Sequence, residues 1–214
     1  MTPIAPEEGV PKFEEELRKV AGTTYRASSC TELDGVLRSI IAGSPAAAVV
    51  LTRNPLLAAV GLRQKLAEWG KSVALWPELS TGELGADEEK VYRNQCFSAA
   101  VGISGVDFVL AETGSLVLSS QTEGSQLASL APPVHIALYR RGQVLSSLDQ
   151  ILEKVPVSID AGSTSKGRSI VFITGPSRTA DIEQILIRGV HGPREVHAIL
   201  VEESCLAGWE PSGK

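Results

Sequence analysis

Only three of the 214 residues are cysteine, and Cys30, Cys96 and Cys205 lie far apart. An odd, scattered set offers neither a disulfide framework nor a Cys-x-x-Cys pair. It fits a reducing compartment, with each thiol read as a small buried hydrophobe. Three separated histidines add no four-ligand set for an iron–sulfur cluster, haem or zinc. Missing too are a Gly-x-Gly-x-x-Gly after a strand, a His-Glu-x-x-His and a Walker loop, since Gly162 to Gly167 holds its lysine at the wrong spacing. No apolar run approaches the ~20 residues that span a bilayer. Met1 to Glu8 carries prolines and acids where a signal peptide has a basic start and an apolar centre, so a cytoplasmic location is expected. A formal net charge of −5, with the twenty Lys and Arg scattered, argues against nucleic acid as a partner.

What is present is ordinary globular material, 43% apolar and 21% charged, long enough for one well-buried core. Phe13 to Val20 reads as a lead-in helix. Ser29 and Glu32 form a capping box ahead of Leu33, Val36, Leu37, Ile40 and Ile41 at helical spacing. Ala46 to Thr52 is a continuous apolar strand, and Asn54-Pro55 opens a helix expected to reach Trp69. Val73 to Trp76 is a strand, Pro77 to Ala86 a loop, and Asp87 caps a helix to about Phe97. The second half holds strand runs at Val106–Ala111, Ser115–Ser119, Val134–Tyr139, Ser169–Thr174 and Glu195–Val201. Helices are expected from Ser147 and over Ala180–Arg188, and a small polar loop over Ser158–Arg168. The fold class expected is α/β: a mostly parallel sheet flanked by helices, with additional antiparallel strands, in one domain whose core spans about 13–201 and whose polar tail begins at Ala207.

Two segments stand out chemically. Glu112-Thr113-Gly114-Ser115 follows an apolar strand run, where open α/β sheets bind ligands. Glycine there lets a backbone approach a ligand, and Glu112 is suited to act as base, nucleophile or acceptor; a tight turn with a solvated Glu explains the same residues. Gly175-Pro176-Ser177-Arg178-Thr179, followed by Asp181, reads as a loop opening a helix, with unpaired N–H groups, two hydroxyls and a guanidinium for an anion. Ordinary capping is the competing reading. His191, in His-Gly-Pro, either hydrogen-bonds within its loop or projects into the cleft, whereas His135 and His197 sit in strands as structural residues. Glu112 and Arg178 are expected to line one cleft.

Read together, Ala111-Glu112-Thr113-Gly114-Ser115-Leu116-Val117-Leu118, Ser129-Leu130-Ala131-Pro132-Pro133-Val134-His135-Ile136, Gly175 to Glu183 and Gly189-Val190-His191-Gly192-Pro193 resemble the LUD-domain family over about Phe13 to Val201. The resemblance implies a fold like the glucosamine-phosphate isomerase, ribose-phosphate isomerase and CoA-transferase group. It also implies a non-redox role in a system that oxidises L-lactate to pyruvate with iron–sulfur partner proteins, with no cofactor in this chain, whether it binds a small anion such as lactate or pyruvate or helps to assemble the complex. Within that fold group, Glu112-Thr113-Gly114 is similar to the Glu-x-Gly that supplies a carboxylate nucleophile, which implies a stand-alone enzyme as the rival; a non-catalytic interaction scaffold is a third reading. The family often carries Arg where this chain has Gln126, which bears on anion binding there.

Overall fold

The computed structural model describes residues 6–44, 48–76, 86–154, 169–180, 186–188 and 192–206. The strands are β1 (Thr23–Ala27), β2 (Ala48–Leu51), β3 (Ser72–Leu75), β4 (Val101–Ser104), β5 (Phe108–Leu110), β6 (Ser115–Ser119), β7 (Val134–Tyr139), β8 (Val144–Leu145), β9 (Ile170–Ile173), β10 (Arg178–Ala180), β11 (Leu186–Arg188) and β12 (Glu195–Val201). The α-helices are α1 (Pro6–Lys19), α2 (Cys30–Ala42), α3 (Pro55–Ala59), α4 (Leu62–Glu68), α5 (Ala86–Ser98), α6 (Ser120–Glu123), α7 (Leu127–Leu130) and α8 (Leu148–Lys154). Six strands form a parallel sheet in the order β1-β12-β7-β4-β2-β3, and four form a mixed sheet in the order β8-β5-β6-β9. The expected α/β class, with a parallel sheet plus antiparallel strands, is the one observed.

Alternation along the central strands separates two buried faces. Ile136 and Leu138 of β7 and Ile199 of β12 join Leu33, Leu37 and Ile41 of α2, Leu56 of α3 and Leu62 and Leu66 of α4. Ala137, Tyr139, Ala198 and Leu200 face the other way, onto Phe13 and Leu17 of α1 and Leu116 and Leu118 of β6. Phe13 meets Tyr139 edge-on with ring centroids 5.2 Å apart. Each such leucine or phenylalanine contributes roughly 1.5–3 kcal/mol through burial. Helix α1 is also pinned by charge: Glu14, 5% exposed, receives Arg26 Nε at 2.7 Å and Arg26 Nη2 at 2.8 Å.

Local signals explain most element starts. Ser29 Oγ accepts from Glu32 N at 3.2 Å, so the N-cap of α2 is present, but Glu32 Oε2 accepts from Ser28 N at 2.7 Å, one residue before the cap, so the expected capping box forms only in part. Asn54 Oδ1 accepts from Leu56 N at 2.9 Å, with Pro55 at the first helical position of α3. The helix expected to run unbroken to Trp69 divides at Gly61, whose φ of +64° is left-handed. Strand β4 escapes a hydropathy reading because Gly102 interrupts it. That glycine is required by contact, since a Cβ there would lie 1.7 Å from the Ala128 carbonyl oxygen of α7.

One expected element is wrong. The helix expected over Ala180–Arg188 is absent at its described residues: Ala180 ends β10, and Leu186–Arg188 forms β11. The two strands pair antiparallel, Arg178 opposite Arg188 and Thr179 opposite Ile187. Thr179 and Ile187 are β-branched residue types, which favour a pleated strand over a helix. Most of the loop expected at Pro77–Ala86, and all of that at Ser158–Arg168, lies outside the described residues.

Candidate functional site

The Glu112–Ser115 turn joins β5 to β6, strands of the mixed sheet and not of the parallel one. Half-buried Glu112 accepts from Leu148 N at 2.8 Å through Oε1, so this carboxylate satisfies the first turn of α8. Thr113 Oγ1 lies 2.7 Å from Ser115 Oγ, which lies 2.6 Å from Thr174 Oγ1 at the end of β9. Gly114 has φ +68°, and a Cβ there would sit 2.2 Å from Leu17 N, so the turn is pressed against the backbone of α1. Gly175, φ +81°, is held in the same way against the Val20 carbonyl, 2.7 Å from where its Cβ would be. The two sequence motifs are therefore brought together. They meet through a hydroxyl chain and a shared seat on the end of α1.

Arg178 is exposed and belongs to β10, so no helix begins at Ser177, and the helix-dipole argument for an anion there does not apply. Pro176 is buried. Ser177 N donates to Pro193 O at 2.8 Å, which ties this loop to the Gly192-Pro193 turn. Thr179 lies in β10, whereas Asp181 and His191 lie outside the described residues. Strands β5 and β9 are both antiparallel to β6, so their C-terminal ends share an edge, which places Glu112 and Thr174 at one end of the mixed sheet.

The opposite end of that sheet holds a constellation the sequence did not announce. In the parallel sheet the chain leaves β2 towards β3 but leaves β4 the other way, towards β7, so the order reverses between β2 and β4. Ligands of open α/β sheets bind beyond the carboxyl ends of the strands at such a point. There stand Thr52, Arg53 and Asn54 after β2, and Gly105 after β4. Between them lies Glu123, fully buried at the end of α6. Its carboxylate accepts from Thr52 Oγ1, from Asn54 Nδ2 and from Gly105 N at 3.2 Å. Its backbone carbonyl accepts from Arg53 N at 3.1 Å.

Burial pushes the Glu123 carboxyl up to about 7; the Thr52, Asn54 and Gly105 bonds oppose the rise, and nearby Asp107 reinforces it. A carboxylate raised by burial beyond the carboxyl ends of β2 and β4 makes this place a candidate site. Asp107, itself raised by burial, accepts from Ser119 N at 2.6 Å and from Thr122 Oγ1 at 2.9 Å. Gly124, φ +73°, brings its backbone against Trp76, where a Cβ would meet Cδ1 at 2.2 Å. Trp76 packs edge-on to Tyr92 at 4.9 Å, and Tyr92 donates to the Leu51 carbonyl at 2.8 Å. The half-buried Arg53 guanidinium makes no hydrogen bond or ion pair with side chains among the described residues.

Gln126 belongs to this end as well. Its Nε2 donates to Leu118 O at 2.9 Å and Ser169 O at 3.1 Å, and Ser169 Oγ donates to its Oε1 at 2.8 Å. Ser115 and Ser119 bound β6, so the two candidate places are separated by about 13 Å of strand. Glu123 was overlooked because a Thr-Glu-Gly run after a strand reads as an exposed turn. The available signal was the polar Thr52-Arg53-Asn54 directly behind the wholly apolar strand β2.

Both described histidines are buried. His135 Nε2 pairs with Ser104 Oγ at 2.8 Å, and complete burial, with His197 adding to it, pushes the ring down to about 3. His197 is lowered by burial against the opposing pull of Glu195, 3.1 Å away. Among the described residues, no three His, Cys, Asp or Glu side chains converge as metal ligands. No helix there is long and apolar enough to cross a membrane.

A family model described as the LUD domain matches residues 10–201. Lactate utilization protein C of Geobacillus kaustophilus is 33% identical over 186 residues, covering 85% of this chain and 73% of that protein. The Bacillus subtilis protein of the same name is 31% identical over 175 residues, covering 81% and 70%. A crystal structure of a DUF162 family protein from Deinococcus radiodurans superposes with a TM-score of 0.63 at 20% identity, covering 93% of this chain and 99% of that one.

Proposed function

The chain belongs to the LUD-domain family, and from that membership we propose that it serves lactate utilisation as a non-redox component that binds a small organic anion. Iron–sulfur partner proteins then carry the electrons taken from L-lactate. The observation that carries this reading is the 33% identity to a lactate utilization protein C over 85% of the chain. Ligand supply supports the division of labour, because three cysteines fall short of the four thiolates of an ordinary cluster.

The anion site we propose is the crevice between β2 and β4. Arg53 is its binding cation, since a guanidinium offers a carboxylate two parallel donors. Glu123 is buried and touches no ligand; it is a positioning residue that holds Thr52 and Asn54 on either side of Arg53. The rival reading, a CoA-transferase-like enzyme with Glu112 as nucleophile, gains no support from an Oε1 already engaged by Leu148 N.

Complementation tests the biological role. Expression of this chain in a Bacillus subtilis strain lacking its lactate utilization protein C is expected to restore growth on L-lactate. Failure to restore growth from a well-expressed, folded chain contradicts the role.

A further inference from the structure

We propose that Cys30 and Cys205 are a peroxide-responsive thiol pair that closes to a reversible disulfide, tying the start of α2 to the segment after β12. The inference is independent of the anion site. Strands β1 and β12 pair in parallel with Ala27 opposite Val201, so the chain leaves both at the same edge of the sheet. The two exits are then laced together. Glu202 N donates to Ala27 O at 3.1 Å, and Ser204 Oγ donates to Ser28 O. Cys30 Sγ donates to the Cys205 carbonyl at 3.2 Å, and Cys205 Sγ donates to Ala27 O at 3.5 Å. Both thiols thus share one hydrogen-bonded shell although 175 positions separate them.

The pair is asymmetric in a way that orders the chemistry. Cys30 is exposed, whereas Cys205 is 5% exposed. Burial, with the adjoining Cys30 thiol, pushes Cys205 up to about 11, so Cys205 stays protonated near neutrality. Cys30 therefore meets the oxidant first. A hydroperoxide gives one oxygen to the Cys30 sulfur: its O–O bond breaks, an S–O bond forms, and water or an alcohol leaves. Cys205 then attacks the sulfenic sulfur. The S–S bond forms as the S–O bond breaks, and the thiol proton leaves with the hydroxyl as water. Two electrons pass from the two sulfurs to the peroxide. Cys96, fully buried on the inner face of α5, is an internal control.

The test uses the full chain, reduced, freed of reductant and treated with hydrogen peroxide, followed by intact mass and non-reducing peptide mapping. The expected result is loss of two hydrogens, a Cys30–Cys205 linked peptide, an alkylatable Cys96 and full reversal by dithiothreitol. Cys205→Ser is expected to leave a Cys30 sulfenic acid that dimedone traps, and Cys30→Ser to abolish the reaction. The proposal is overturned if wild-type Cys30 advances to sulfinic acid, or links between molecules, while Cys205 remains alkylatable after denaturation.

Discussion

Asn54 and Glu123 stand 69 positions apart, yet the Asn54 amide serves both elements at once: Nδ2 donates to Glu123 Oε1, and Oδ1 accepts from Leu56 N at 2.9 Å. Helix α3 is thereby capped by a side chain whose other end is clamped on a buried carboxylate. Gly105 must be glycine for this arrangement, because a Cβ there would lie 2.1 Å from Asn54 Cγ. The β2–α3 turn and its Arg53 are held in place by Glu123 and by the close approach of Gly105.

This burial sets a pH dependence. Glu123 keeps its proton in the folded state up to about 7, whereas the unfolded chain releases it near 4.5. Its contribution to stability is therefore fully present below about 4.5 and is lost as pH rises towards 7, by at most roughly 3 kcal/mol. His135 acts in the opposite sense. Held neutral down to about 3, it costs stability as pH falls below 6.5. The two effects partly cancel in the wild type, so the informative quantity is a difference. Urea unfolding between pH 4.5 and 8 is expected to show Glu123→Gln least stable relative to wild type at the acid end, with the gap narrowing as pH rises. Parallel curves contradict the raised carboxyl.

Glu112→Ala removes the acceptor for Leu148 N. Loss of a helix-terminal acceptor costs about 0.5–2 kcal/mol, which a shifted urea midpoint at unchanged slope reads. Because Glu112 Oε1 is engaged by Leu148 N, incubation with a CoA thioester is expected to leave Glu112 unmodified by mass. A covalent adduct on Glu112 would reinstate the carboxylate-nucleophile reading.

Two glycines separate strain from crowding. Gly61 and Gly114 both have left-handed φ, but a Cβ on Gly61 meets nothing within 4 Å, while one on Gly114 meets Leu17 N at 2.2 Å. Gly61→Ala is expected to cost about 1–2 kcal/mol, the penalty for a side chain in that region. Gly114→Ala adds displacement of α1, for a total of roughly 2–5 kcal/mol. Equal unfolding midpoints for the two variants would show that the turn does not bear on α1.

Much of the fold was legible because its signals are local. The Ser29 cap, the Asn54-Pro55 start and the apolar run into β2 each specify an element within a few residues. Strand β4 was not, because the need for Gly102 arises from Ala128, 26 positions on. The hairpin of β10 and β11 was misread because Thr-Ala-Asp-Ile-Glu after a proline looks like a helix start, whereas pairing of Thr179 with Ile187 outweighs that propensity. For the site, the sequence identified the residues that pack the end of α1 and missed Glu123. A buried carboxylate is recognisable only once its three donors, from two other segments, are placed around it.

Calorimetric titration of L-lactate and pyruvate into the wild type, Arg53→Ala and Arg178→Ala decides whether Arg53 binds the anion. Binding to the wild type is expected to be saturable and to weaken about ten- to a hundredfold in Arg53→Ala, as loss of one charge-assisted pair of roughly 1.5–3 kcal/mol requires. Arg53→Ala is expected to unfold within ~0.5 kcal/mol of wild type, and Arg178→Ala to bind as the wild type does. Binding lost in Arg178→Ala and kept in Arg53→Ala, or no binding of either anion to the wild type, contradicts the crevice between β2 and β4 as the ligand site.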